Sequence, residues 1–151
     1  MSPDLRPARP DEAGALSDLA LRSKAHWGYD TGFLDACRPD LTFGPDDLAA
    51  RRATVAAEAG ALAGFYTLDG SPPAGELGNL WIDPAFMRRG IGRALWNHAM
   101  ATARTLHFTT VLIDADPNAE AFYTAMGAER VGAVPSSVIP GRLLPQLRFR
   151  P

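Results

Sequence analysis

Glu76-Leu77-Gly78-Asn79-Leu80-Trp81-Ile82-Asp83-Pro84, followed after Ala85-Phe86-Met87 by Arg88-Arg89-Gly90-Ile91-Gly92-Arg93, is the stretch on which the rest of the chain is organised. Residues 76–83 are apolar and β-prone, and Pro84 ends them because proline cannot donate to a sheet ladder. Beyond Gly92, Ala94, Leu95, Ala99, Met100, Ala103 and Leu106 recur at helical spacing. The order is therefore strand, short basic loop, glycine pair, helix. The first amides of a helix have no partner within it and sit at the positive end of its dipole. Gly90 and Gly92 leave those amides uncovered, and Arg88, Arg89 and Arg93 add charge beside them. Such a mouth suits a phosphate or diphosphate.

Two familiar phosphate loops fail on spelling. A Walker loop ends in Gly-Lys-Ser/Thr, whereas Gly92-Arg93-Ala94 stands here. A dinucleotide fingerprint needs a third glycine where this chain has Leu95.

Arg89-Gly90-Ile91-Gly92, after the strand Leu80-Trp81-Ile82-Asp83-Pro84, resembles the signature of the GNAT superfamily of acyl-CoA-dependent N-acyltransferases, Gln/Arg-x-x-Gly-x-Gly/Ala. The first signature position falls on Met87, which removes one polar side chain but none of the backbone donors. A second segment carries the same resemblance. Residues 111–115 read as a strand, and Asn118, Ala121, Phe122, Tyr123 and Gly127 match the pattern Asn-x-x-Ala-x-x-(x)-Tyr with a closing glycine. The two segments lie about 30 residues apart, and together they are more specific than either alone. The resemblance covers residues 64–132 well and the remainder in outline.

Length and composition set the bounds. A chain of 151 residues is expected to form a single domain, 1–151, and 46% apolar residues support a real core. The 15 basic and 17 acidic residues leave a net charge of −2, with no global attraction to nucleic acid or an anionic membrane. Cys37 stands alone, which excludes an internal disulfide and fits a reducing compartment. Residues 1–6 lack an apolar leader core, and no apolar run is long enough to span a bilayer. A cytoplasmic location is expected. His26, His98 and His107 share no ligand spacing with one another or with Cys37, so no metal site is expected.

Along the rest of the chain, residues 5–9 read as a short edge strand among prolines, and an amphipathic helix follows Asp11 through Leu16, Leu19 and Ala20. Residues 46–50 read as one helical turn. Residues 52–58 and 61–68 read as strands around Gly60, and residues 69–75 as a breaker-rich turn, a meander leading into the central strand. Residues 129–133 and 143–149 read as the last strands. A terminal strand exposed at the sheet edge would suit a homodimer.

The resemblance implies a mixed α/β three-layer fold. Its central, mostly antiparallel sheet of about six or seven strands would be splayed between the two middle strands and flanked by about four helices. It also implies transfer of an acetyl group from acetyl-CoA to a primary amine of a small-molecule or peptide acceptor by direct attack in a ternary complex. Leu80 and Ile82 would hold the pantetheine arm, with Gly78 placed for the bulge that opens the sheet. Arg88, Arg89, Gly90, Ile91, Gly92 and Arg93 would hold the diphosphate. Asn118 would bond the arm or cap its short helix. Tyr123 would protonate the leaving thiolate, and Glu76 would take the amine proton through water. His26, Trp27 and Tyr29 lie where the family places its acceptor site and are candidates to line it, although aromatic residues at a helix end also serve as anchors. A CoA-binding module with weak catalysis, acting as a sensor or in an assembly, is the alternative.

Overall fold

A computed structural model describes residues 3–151. Met1 and Ser2, where the segment read for a leader begins, lie outside the described residues. The chain runs β1 (Asp4–Pro7), α1 (Ala13–Ala25), α2 (Thr31–Cys37), α3 (Pro45–Ala50), β2 (Thr54–Glu58), β3 (Ala61–Ser71), β4 (Ala74–Ile82), α4 (Ile91–Thr105), β5 (Thr110–Asp114), α5 (Glu120–Ala125), β6 (Glu129–Pro135) and β7 (Leu143–Phe149). The strands form one seven-stranded sheet in the order β1-β2-β3-β4-β5-β7-β6. Every neighbouring pair is antiparallel except β4 and β5. Among the described residues no helix is long and apolar enough to cross a membrane.

Two cores lie on the two faces. On one, α1 and its neighbours bring Leu16, Leu19, Ala20, Leu41, Phe43 and Leu48 against Val55 and Phe65. On the other, α4 buries Ile91, Leu95, Trp96, Ala99, Met100 and Ala103, a stripe with helical period, against Tyr66, Leu68, Leu77 and Ile113. Leu95 is 0% exposed, and burial of such a side chain contributes about 1.5–3 kcal/mol.

The central feature is a parting of the sheet. β4 pairs with β5 only through Ala74↔Thr110, Gly75↔Val111 and Glu76↔Leu112, yet it stays paired with β3 as far as Ile82↔Gly64. The cause lies at Gly78. Leu68 pairs with Leu77 and Thr67 with Asn79, so Gly78 is the extra residue of a bulge that bends β4 away from β5. A β-carbon there would run into the Asp69 carboxylate and the Arg51 guanidinium, so any other residue would have to displace that pair. Those two groups form a two-pronged pair at 2.9 and 2.8 Å behind the bulge.

The structure departs from the sequence-based expectations in three places. The turn expected over residues 69–75 is shorter: β3 runs on through Ser71 and β4 begins at Ala74, leaving Pro72 and Pro73 between them. Helix α2 was not expected; it is a seven-residue helix whose start is fixed by the Asp30 carboxylate accepting from the Phe33 N–H. The terminal strand β7 is not at an edge. It inserts between β5 and β6, so the exposed edge on that side is β6.

Candidate active site

Past Ile82 the chain closes a short turn, with the Asp83 carboxylate accepting from the Ala85 N–H. Arg88 at φ +64° and Gly90 at φ +79° then turn the backbone through the left-handed region into α4. Gly90 supplies no side-chain cap, and the first N–H of the helix to find a partner is that of Ala94, which donates to Gly90 O at 3.0 Å. The amides of Ile91, Gly92 and Arg93 therefore have no partner within the helix. They open into a cleft of about 520 Å³ that fills the gap between β4 and β5. Leu80, Ile82, Met87, Arg88, Arg93, Asn118 and Tyr123 also line it.

These residues fit the diphosphate of coenzyme A: three open amides at a helix mouth, a bare glycine at its entrance and two arginines on its rim. Arg89 is the exception. Its guanidinium is drawn off to Glu58 at 3.1 Å and lies 5.4 Å from the Phe86 ring, so its side chain does not line the cleft.

Tyr123 reaches the cleft from α5. It is only 6% exposed and packs between Trp96 and Phe122, with ring centroids at 5.8 and 5.3 Å. Burial pushes its phenol well above the ordinary value, and the nearby Asp116 charge adds to the rise. At neutral pH this group holds its proton and can donate it. Asn118 does not cap the short turn at residues 117–119. That role falls to Asp116, whose carboxylate accepts from the Asn118 N–H at 2.8 Å.

A second cavity of about 350 Å³ lies on the α1 and α2 face. Lys24, Arg51, Asp40, Ser136 and Arg142 line it alone, while Gly78, Asn79, Trp81, Asp114 and Asp116 line both cavities. The two spaces therefore meet through the parted sheet.

The candidate acceptor residues fall differently from expectation. His26 is exposed and lines neither cavity. Trp27, 45% exposed, borders the first cleft rather than the second. Both follow from the end of α1 at Ala25, which leaves residues 26–28 in a turn at the surface. Tyr29 acts through its hydroxyl, which donates to Asp116 at 2.9 Å and accepts from Arg142 at 2.8 Å. Glu76 occupies the last paired position before the sheet opens and lines neither cavity. Partial burial raises its carboxyl above the usual value, and the charges of Asp114 and Asp69 raise it further against the pull of Arg51.

Lys24, Asp114, Asp116 and Arg142 were missed from sequence. For the two aspartates a signal existed, since Asp114-Ala115-Asp116 stands at the carboxyl end of a strand, where open α/β sheets hold their ligands.

The fold has many solved counterparts. A GCN5-related N-acetyltransferase from Rhodopseudomonas palustris superposes with a TM-score of 0.82 at 21% identity, covering 99% of this chain and 96% of that one. The PaiA N-acetyltransferase from Thermoplasma acidophilum, solved in complex with coenzyme A, gives 0.80 at 15% identity, with 99% of each chain covered. YncA from Salmonella typhimurium, solved with its cofactor acetyl-CoA, gives 0.70 at 17% identity, covering 99% of this chain and 94% of that one. At these identities the likeness is one of fold. No curated protein matches the sequence. The model of the acetyltransferase (GNAT) family matches residues 19–128, and the chain belongs to that family.

Proposed function

We propose that the protein transfers the acetyl group of acetyl-CoA to a primary amine by direct attack within a ternary complex. The observation that carries this is the parting of β4 from β5 after Glu76, which joins the cleft at the α4 mouth to the cavity on the opposite face. Acetyl-CoA, when bound, would supply the activated thioester. The amides of Ile91, Gly92 and Arg93, with Arg88 and Arg93, hold the diphosphate. From Leu77 onward β4 has no strand beside it on the β5 side, so main-chain groups near Leu80 and Ile82 can hold an extended arm as a sheet holds an added strand.

Tyr123 donates to the sulfur as it leaves, and its raised pKa keeps the proton available. Glu76 takes the amine proton through water, since it stands beside the opening rather than in it. Its raised pKa makes it a better base than an ordinary glutamate. Its place outside both cavities also favours the second reading, a CoA-binding module with weak catalysis. Calorimetry with acetyl-CoA and a thiol-release assay over a panel of amines separate the two. Binding with turnover supports the enzyme, and binding without turnover on any amine supports the module.

A further inference from the structure

The second cavity holds charge that acetyl transfer alone does not require. Lys24 Nζ lies 3.1 Å and Arg142 Nη2 3.6 Å from the same oxygen of Asp116. The side chains of Lys24, Arg142 and Asp116 are 11%, 18% and 6% exposed. Two cations withdrawn from water thus share one anion, which leaves a positive charge uncompensated at that wall. The rings of Tyr29 and Phe33 back both cations, at 5.3 and 4.8 Å from the Arg142 guanidinium and 5.5 and 5.7 Å from Lys24 Nζ. The other charges do not restore the balance. Arg51 is engaged by Asp69, and Asp40 stands exposed at the rim, accepting from Ser137 at 2.8 Å.

The opposite sign gathers where the sheet opens. Asp114 lines both cavities and accepts from the neutral amide of Gln146 at 3.0 Å. Glu76 stands close enough for the two charges to raise its pKa. Arg142 and Lys24 line the second cavity alone. The cavity is therefore polarised, with cations at the α1 and α2 wall and carboxylates at the passage to the thioester cleft.

We infer that the acceptor is a small amino acid, a primary amine that carries its own carboxylate. Its carboxylate sits on Arg142 and Lys24, and its ammonium faces Asp114 at the opening. A guanidinium grips a carboxylate through two parallel hydrogen bonds, which fixes the molecule's direction as well as its charge. A volume of about 350 Å³ admits a small ligand and no folded chain. In the reaction the thioester C–S bond breaks and an N–C amide bond forms. The ammonium gives up two protons: one leaves through the carboxylates to water, and the other replaces the proton that Tyr123 passes to sulfur, so that the thiol departs neutral. The inference rests on the acetyl-transfer reading.

The test compares free α-, β- and γ-amino acids with their carboxamides, alongside polyamines, as acceptors for the full chain with acetyl-CoA. At least one acid is expected to exceed its carboxamide in kcat/KM by about 10- to 100-fold, the scale of losing hydrogen bonds to a charged group. Arg142→Gln is expected to raise KM for that acid by a similar factor and to abolish the preference, with KM for acetyl-CoA unmoved. Calorimetric titration of the acid into the protein saturated with coenzyme A is expected to show binding that Arg142→Gln weakens. Preference for carboxamides or polyamines, or no turnover of any acid by a protein that binds acetyl-CoA, overturns the inference while leaving the function class to the other amines. Failure to bind acetyl-CoA at all overturns the proposed function and the inference with it. The wild-type comparison requires no variant, so an unfolded Arg142→Gln protein leaves it decisive.

Discussion

Lys24 and Asp116 meet at 3.1 Å although 92 positions of chain separate them. The contact ties α1 to the turn after β5, across the opening of the sheet. Burial alone would raise the Asp116 carboxyl, but the Asn118 N–H and the Lys24 ammonium outweigh it and hold the group below the usual carboxylate range. Asp116→Asn keeps the shape and an oxygen that can cap, but strands two buried cations. It is expected to cost about 3 kcal/mol in urea unfolding, the scale of breaking a buried pair from one side. Asp35→Asn is the control. Its pair with Arg38 is 70% and 58% exposed, so it should change stability by less than about 0.5 kcal/mol. Equal losses from the two variants would mean that Asp116 holds nothing together.

Glu12 gives the acid limb of stability. Its carboxylate takes both prongs of Arg6, at 2.9 and 2.8 Å, and accepts from the Arg9 N–H, which holds its pKa at about 2 against the Arg6 guanidinium. A carboxyl whose folded pKa is depressed contributes fully above its unfolded value, about 4.3, and loses that contribution as pH falls through the folded value. Unfolding free energy should therefore decline between about pH 4.5 and 2 more steeply in the wild type than in Glu12→Gln. Denaturant titrations at stepped pH measure this, and parallel declines would remove Glu12 from the account.

The helix mouth can be tested without disturbing the helix. A β-carbon at Gly92 would sit 3.3 Å from the Phe122 ring, on the wall of the cleft. Glu is a favourable residue in the first turn, because its charge complements the helix dipole. Gly92→Glu should thus keep the fold by circular dichroism yet lose coenzyme A affinity by more than about 100-fold, since a like charge replaces open space beside the phosphate donors. Tight binding by this variant would place the diphosphate elsewhere.

The sequence was legible where meaning is local. Pro84, the pair Gly90 and Gly92, and the apolar stripe of α4 announce strand, loop and helix within some 30 residues. Gly78 announced the bulge because an unoccupied β-carbon position inside a strand usually marks one. What depends on distant partners was not legible. Strand β7 lies inside the sheet because it pairs with both β5 and β6, and no feature of residues 143–149 names those neighbours. Arg142 belongs to a loop more than 100 residues from Lys24 and Tyr29, yet it shares their carboxylate and hydroxyl. His26 lines neither cavity because the helix stops at Ala25 and leaves it at the surface, whereas Trp27 borders the first cleft rather than the second.

Tyr123→Phe tests the proposal that Tyr123 donates a proton to the departing sulfur. The ring keeps its packing against Trp96 and Phe122, so stability and acetyl-CoA affinity should change little. Turnover is expected to fall by about 100-fold, within the range for loss of a general acid. Because burial raises the phenol, its ionisation should impose no descending limb on kcat below about pH 10. Unchanged turnover in the phenylalanine variant, or a limb near pH 8 that the variant abolishes, would contradict the assignment.

The Asp114 charge disfavours ionisation of Glu76. With Glu76 as the proposed base, which works only when deprotonated, kcat should rise with pH through the Glu76 pKa, which lies above the ordinary glutamate value because of partial burial and the Asp114 and Asp69 charges. Removing one neighbouring negative charge makes ionisation of the other easier. Asp114→Asn should therefore move the rising limb of kcat to lower pH, even as it raises KM for the amine. Glu76→Gln should erase the limb and lower the plateau by about 100-fold. Arg51→Gln should move the limb the other way, since the Arg51 charge pulls the Glu76 carboxyl down and its loss lets the raising influences act unopposed. A rising limb that stays in place through all three variants would assign the amine proton to water alone, with Glu76 serving only the register of β4 against β5.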